Sequence, residues 1–312
     1  MTDETKAPRR WLRIAVLCAL PVLFLAGTAG AFWTGYRLYD KPFVWYNLNR
    51  VAATADRAAR AANAVTVVAL GDTALRHATL DEEGMARLAE KHGVKDLQFL
   101  RIVHDHAQFA DFEPMLDAIL DLKPEVVLID LDLLFAERRA FVDLRRYGTT
   151  LTGVAMDGKP YLRDQIAIQY GKSCKPVGRE GMTAEDIDRR IEAWREVVDS
   201  RPESPMFERV RRFADQARAA GSRVALLHLR RPPALEERLY GPGNSHVPAA
   251  LARLNDQPGL PLWRSPDTAH KADLYCHNAM LGPDGRKLYS AWLAGSIAQA
   301  LSEPRVEEAA LQ

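Results

Sequence analysis

Hydrophobic and polar positions alternate along this chain in blocks that change period. Ile14 to Trp33 contains no charged residue, and the polar stretch before it carries Lys6, Arg9, Arg10 and Arg13. Twenty residues rise about 30 Å as a helix, enough to cross a bilayer. Residues 47–63 are Ala- and Arg-rich and read as a juxtamembrane helix or stalk. From there short apolar runs alternate with helical spacing. VTVVAL (65–70), DLQFLRIVH (96–104), PEVVLIDLDLL (124–134), SRVALLHL (222–229) and LPLWR (260–264) read as strands, the first a run apolar enough to be buried on both faces. Residues 80–93, 112–122, 182–198, 206–221 and 283–301 read as helices, with Pro283 suited to a first turn and Thr183 with Asp186 resembling a capping box. HVPAALARLND (246–256) suits a short helix, and the stretch around Arg230–Tyr240 reads as a long loop with a helical turn at most.

Strands alternating with helices predict a parallel sheet covered on both faces. The expected fold is α/β: a flavodoxin-like, doubly wound parallel five-stranded sheet preceded by an N-terminal transmembrane helix. The division that follows is a tail over 1–13, an anchor over 14–33, a stalk over 34–63, the α/β domain over 64–302 with an insertion at about 135–204, and a tail over 303–312. Basic residues before the span favour a cytoplasmic N-terminus, and Phe32, Trp33, Tyr36, Tyr39, Phe43, Trp45 and Tyr46 suit the interfacial layer beyond it. A cleaved signal peptide, with AGTAGA as its cleavage region, is the alternative. Both place the domain outside the cytoplasm. In that compartment disulfides persist, and Cys174 and Cys276 are the two cysteines outside the span, so a Cys174–Cys276 bridge is expected.

Composition narrows the function classes. With 42 basic and 41 acidic residues the net charge is +1, which lacks the clustered basic excess of a nucleic-acid binder. In open α/β sheets ligands bind beyond the carboxyl ends of the strands, so the residues there are the candidates. Gly71, Asp72, Thr73, Arg76 and His77 follow the first strand; His104, Asp105 and His106 the second; Asp130 and Asp132 the third; Asp267, His270, Asp273, Cys276 and His277 the fifth. Histidine, carboxylate and hydroxyl are the parts of a nucleophile, base and orienter set. His104 and His106 alternate as metal ligands would, but lack a third ligand at a suitable spacing, and neither a metal nor a cofactor is expected. Asp130 and Asp132 are either a carboxylate pair with a raised pKa or holders of a turn or an arginine. Arg230 and Arg231 either meet an anionic sugar or line a solvated loop. Trp194 and Trp263 either stack on sugars or pack in the core.

GDTALRH after the first strand resembles the opening signature of the SGNH (GDSL-type) hydrolase superfamily, and DLYCHNAMLGPDGRKLYSAWLA (273–294) is similar to its closing one. The resemblance spans roughly residues 64–302. It implies Thr73 as nucleophile, His277 as general base and Asp273 as a possible orienter, with Asp72, Arg76 and His104 lining the substrate site. With an N-terminal anchor it also resembles envelope members that act on surface polysaccharides. This implies a bacterial inner-membrane protein with a periplasmic domain. Its partners would be an envelope polysaccharide and membrane acyl-transfer or export proteins. Three departures stand beside it. Threonine replaces the family's serine. Leu274 stands three residues before His277, where the family has its acid, and Asp273 is one residue further. The Gly and Gly-x-Asn-Asp blocks of the oxyanion hole are replaced by DHAQF and LIDLDLL. Two functions therefore remain open: an acyl esterase or O-acyltransferase, and a catalytically degenerate glycan-binding or scaffold subunit.

Overall fold

The computed structural model describes residues 7–39, 41–61, 63–135, 140–158, 174, 181–197, 205–241, 260–277 and 279–303. Five strands, β1 (Val65–Gly71), β2 (Leu97–Val103), β3 (Val126–Asp130), β4 (Arg223–His228) and β5 (Leu262–Arg264), form one sheet in the order β2-β1-β3-β4-β5. All four pairings are parallel. The period of two along each strand sends alternate side chains to opposite faces. On one face Val68, Leu70, Leu100, Ile102, Val127, Ile129, Val224 and Leu226 meet Phe43 and Val51 of α2 (Lys41–Arg60), Ile119 of α5 (Leu116–Asp121), and Val210 and Phe213 of α8 (Pro205–Ala219). On the other, Val67, Ala69, Phe99, Val126, Leu128, Ala225 and Leu227 meet Leu75 of α3 (Thr73–Ala78), Met85 and Ala89 of α4 (Glu82–Glu90), and Leu293, Ala294 and Ile297 of α10 (Pro283–Ser302). The two faces thus carry separate cores, and the sheet's interior strands see water on neither.

Three elements differ from the sequence reading. The third strand ends at Asp130 rather than 134, because the Asp130 carboxylate accepts the Asp132 backbone N–H at 3.1 Å and turns the chain into a 3-10 helix over Leu131–Leu134. Residues 233–240, read as loop, are helix α9 (Pro233–Tyr240); Pro233 stands at its start, where a missing N–H costs nothing. Helix α6 (Ala140–Asp157), inside the expected insertion, was not anticipated. The expected short helix over 246–256 lies outside the described residues.

Helix α1 (Ala7–Leu38) precedes the sheet and is the one described helix long and apolar enough to cross a membrane. Val16, Leu20, Leu23 and Phe24 on it are exposed. Its C-terminal end docks on α6. Tyr147 packs its ring 5.0 Å from Phe32, 5.8 Å from Tyr36 and 5.4 Å from Tyr39, and Tyr39 and Thr150 share a hydroxyl hydrogen bond of 2.9 Å. Gly35 makes this approach feasible, since a Cβ there would lie 2.0 Å from the Tyr147 hydroxyl. On helix α7 (Ala184–Val197), Ile187 and Ile191 pack with Leu235 and Leu239 of α9 and with Ala279.

Cys174 and Cys276 form a disulfide with Cα atoms 5.9 Å apart, closing a span of 102 residues. The bridge is compatible with an extracytoplasmic domain. Loop closure of that length removes about 4 to 5 kcal/mol of unfolded-chain entropy in the chain-entropy treatment. A Cys174→Ser/Cys276→Ser double variant is therefore expected to lose up to about 4 kcal/mol in urea denaturation of the full chain, and wild type under reductant is expected to lose the same amount.

Candidate functional site

The site forms where β1 and β3 end side by side, the two central strands from which the chain departs in opposite directions. Gly71 closes β1, and no larger residue fits: a Cβ would lie 2.8 Å from Leu75 and 3.1 Å from the Asp130 Cβ. Asp72 then caps α3, its carboxylate accepting the Ala74 N–H at 2.5 Å. The Asp72 N–H points to the Asp130 carboxylate at 3.4 Å. Thr73, the first residue of α3, donates its hydroxyl to Asp105 Oδ1 at 2.5 Å. Asp105 belongs to the turn that follows β2, where His106 takes a positive φ of 52°.

Four carboxylates, Asp72, Asp105, Asp130 and Asp132, therefore gather at this edge, with Asp105 in contact with Thr73. Asp130 is buried, and Asp132 sits beyond it in the 3-10 turn. Arg231, three residues past the end of β4, is the counter-ion of the cluster: it pairs with Asp132 and lies 4.0 Å from Asp72. Tyr240, the last residue of α9, donates to the other Asp132 oxygen at 2.8 Å. Burial, then its neighbours Asp72 and Asp132, push Asp130 well above the usual carboxylate range. Burial also raises Asp72, against the pull of Arg231. Burial disfavours the Arg231 charge, but Asp132 and Asp72 outweigh it and hold the guanidinium ionised. Asp105 goes the other way: burial opposes its charge, yet nearby His106 and the Thr73 hydrogen bond prevail and keep it a carboxylate.

A second charged cluster continues along the same rim. Buried Glu236 of α9 accepts the Arg231 N–H at 2.7 Å and faces His228 at 3.3 Å, Arg230 at 3.4 Å and Arg264 at 3.4 Å. Arg230 also pairs with Asp267 at 2.5 Å, and the His270 ring nitrogen lies 2.7 Å from the Arg231 carbonyl.

Thr73, Asp72 and Asp105 stand together. His277 and Asp273 are exposed. His277 follows Cys276 in a tight turn closed by the Ala279 N–H on the Cys276 carbonyl at 2.8 Å, and Arg190 of α7 donates to its backbone carbonyl at 3.1 Å. Among the described residues the His277 and Asp273 side chains form no hydrogen bond or ion pair. His104 is fully enclosed, edge-on to the Phe43 ring with centroids 4.6 Å apart, and faces Asp111 at 3.5 Å. Arg76 is buried, with Asp105 and Asp72 favouring its charge against the cost of burial. Trp194 packs against Tyr240 with ring centroids 6.5 Å apart. Tyr240, Glu236 and the Asp105 partnership escaped the sequence reading. Arg231 had a signal, an arginine shortly after a strand whose neighbour β3 ends in an aspartate.

Behind Thr73, arginines close the C-terminal end of α3. Arg101 donates to the Thr79 carbonyl at 2.9 Å, and Arg286 to the His77 carbonyl at 3.0 Å. They satisfy carbonyls that a helix end leaves without partners. Burial, with Arg76, Arg286 and Arg101 nearby, pushes His77 down to about 4. No family model and no curated protein matches this chain.

Two outcomes follow. Because the folded-state pKa of His77 lies below its ordinary value of 6.5, the unfolded chain binds the proton first as pH falls. Stability from neutral His77 is present above the unfolded value and is lost as pH drops toward 4. The wild type is expected to lose stability between those values more steeply than His77→Asn, by up to about 1.4 kcal/mol per pH unit, in urea midpoints taken across that window. Separately, Arg231→Met strips the counter-ion from buried carboxylates and is expected to cost about 3 to 5 kcal/mol. Adding Asp132→Asn to it should recover part of that loss in the same denaturation assay.

Proposed function

We propose that this chain is a membrane-anchored, extracytoplasmic SGNH-like protein that holds an envelope polysaccharide without breaking or forming esters, as a binding or scaffold subunit of a modification or export system. The strand order and the helices packed on both faces support reading the sheet as a doubly wound, flavodoxin-like fold, in which the crevice beside β1 and β3 is the ligand position. Helix α1 is read as the anchor, with its N-terminus cytoplasmic.

The observation that carries the non-catalytic reading is the Thr73 hydroxyl donated to Asp105. Acyl transfer needs a base to take that proton and donors to hold the oxyanion that develops. Asp105, kept ionised with its pKa lowered, is a weak base that fixes the hydroxyl instead of activating it. Asp105 and the preceding Asp72 put acidic side chains beside the hydroxyl that would attack, and Arg231 is already engaged by Asp132. At 4 Å two like charges repel by about 4 kcal/mol in a partly buried setting, opposite in sign to what an oxyanion hole supplies. The same partly exposed carboxylates are acceptors for sugar hydroxyl groups.

The purified full chain is expected to leave p-nitrophenyl acetate unhydrolysed above the rate of a Thr73→Ala/His277→Ala control, and to bind envelope polysaccharide in calorimetry with affinity reduced by Asp105→Ala. Wild-type turnover abolished by Thr73→Ala and by His277→Ala would establish the acyl esterase or O-acyltransferase reading instead.

A further inference from the structure

Where α1 meets α2, the described structure holds a groove of about 440 Å³. One wall is α6, which presents Tyr147, Leu151 and Val154, spaced four and three residues apart on one helical face. The other comes from Leu38, Pro42 and Trp45. Leu38 and Trp45 are exposed, at 49% and 60%, so the groove opens outward. Its volume falls within the roughly 300–1,000 Å³ of sites that hold small organic molecules.

We propose that this groove binds one acyl chain of an acidic glycerophospholipid from the leaflet in which α1 ends, a reading that rests on α1 spanning the membrane. Position argues for it first. The uncharged run ends at Tyr36 with Arg37 next, and at 1.5 Å per residue Gly35 to Leu38 lie within about 3 Å of its end along the helix. That is the level at which acyl chains give way to headgroups. Chemistry argues second. Lys41 supplies the one charged group of the lining, and everything else is apolar or aromatic. Cations stand around it at the same level: Arg37 is exposed and stacked 5.2 Å above Trp33, and Arg146 lies 5.5 Å above Tyr39. Long basic side chains that rest their stems on apolar surface and lift their charge outward are suited to a lipid phosphate. An open apolar groove of this size facing water would be costly, whereas beside a bilayer the solvent that fills it is lipid. Gly35 has a part in shaping it, because it admits the Tyr147 ring that forms the floor.

The test uses the full chain reconstituted in vesicles of phosphatidylethanolamine with a minority of phosphatidylglycerol. A trace of the phosphatidylglycerol carries a diazirine in its acyl chain. Flotation is measured first, then peptides are mapped after irradiation. The expected result is a floating protein with adducts on the α6 peptide that contains Leu151 and Val154. Leu151→Trp, which fills the groove, should lower those adducts about tenfold while leaving adducts on α1 unchanged. Lys41→Glu should lower them with the phosphatidylglycerol probe more than with a phosphatidylcholine probe. A protein that floats but shows no α6 adducts, or shows adducts indifferent to Leu151→Trp, overturns the groove and leaves the anchor standing. Cross-links between two copies through α6 in place of lipid adducts would likewise overturn it, as the mark of a protein–protein contact. A protein that stays out of the floating fraction overturns anchor and groove together.

Discussion

A buried guanidinium among carboxylates constrains this molecule more than any single apolar contact. Arg231 leaves the end of β4, reaches Asp132 beyond β3 and comes within 4.0 Å of Asp72 at the start of α3. Its backbone N–H is held by Glu236, and its carbonyl meets His270. One residue thus ties the ends of three strands, the helix α9 and the segment after β5. Such an ion pair contributes little net stability, since desolvating its charges offsets their attraction, but removing one partner is severe. The network therefore acts as a register device: a slip that moved Arg231 off Asp132 would strand buried charge on both sides. Asp130, pushed toward its neutral form by burial and by two like neighbours, is the relief valve of the same arrangement.

That constraint also shapes the chemistry around Thr73. The turn at Gly71 is tight enough to exclude a Cβ, so Asp72 and Thr73 are presented with little freedom. A strand that ends in this way places a hydroxyl at the sheet rim as a nucleophile would require. The surroundings then fix what the hydroxyl does. Its proton is directed to Asp105, and Arg231 is committed to Asp132. On the proposed non-catalytic reading, geometry that suits a nucleophile coexists here with electrostatics that do not suit its transition state.

The sheet was legible in the sequence because its interior strands are buried on both faces and therefore read as uninterrupted apolar runs. Their ends were less so. Asp130 and Asp132 read as alternate residues of one strand, whereas the Asp130 side chain competes for the Asp132 N–H and stops the strand there, a local hydrogen bond that periodicity does not register. Residues 233–240 read as loop because Pro232 and Pro233 dominate the local signal, yet the second proline is a sound first residue for a helix. Within the site, Asp72 and Thr73 stood out from their position after β1. Tyr240 did not, since its partner Asp132 is 108 residues away and nothing in a tyrosine at a helix end points there. The Cys174–Cys276 bridge was legible through elimination, with only one pair of cysteines outside the apolar span.

The segment between β3 and β4 packs against both the end of α1 and helix α9. Its helix α6 carries Tyr147 into the ring cluster at the end of α1, and its helix α7 carries Ile187 and Ile191 against α9 and Ala279. Cys174, from the same segment, is bonded to Cys276 beside His277. Tyr240 on α9, whose neighbours α7 packs, is in turn a hydrogen-bond donor to Asp132 in the carboxylate cluster. A displacement of α6 relative to the sheet would therefore be felt at α1, and one of α7 at the rim. Cores of close-packed side chains transmit such shifts instead of absorbing them. Ala279 is held at a positive φ of 62°, a conformation rare for alanine, within this same junction. The packing of α7 on one side and the disulfide on the other over-determine that turn. Strain of this kind persists only where the surroundings leave the backbone no cheaper alternative.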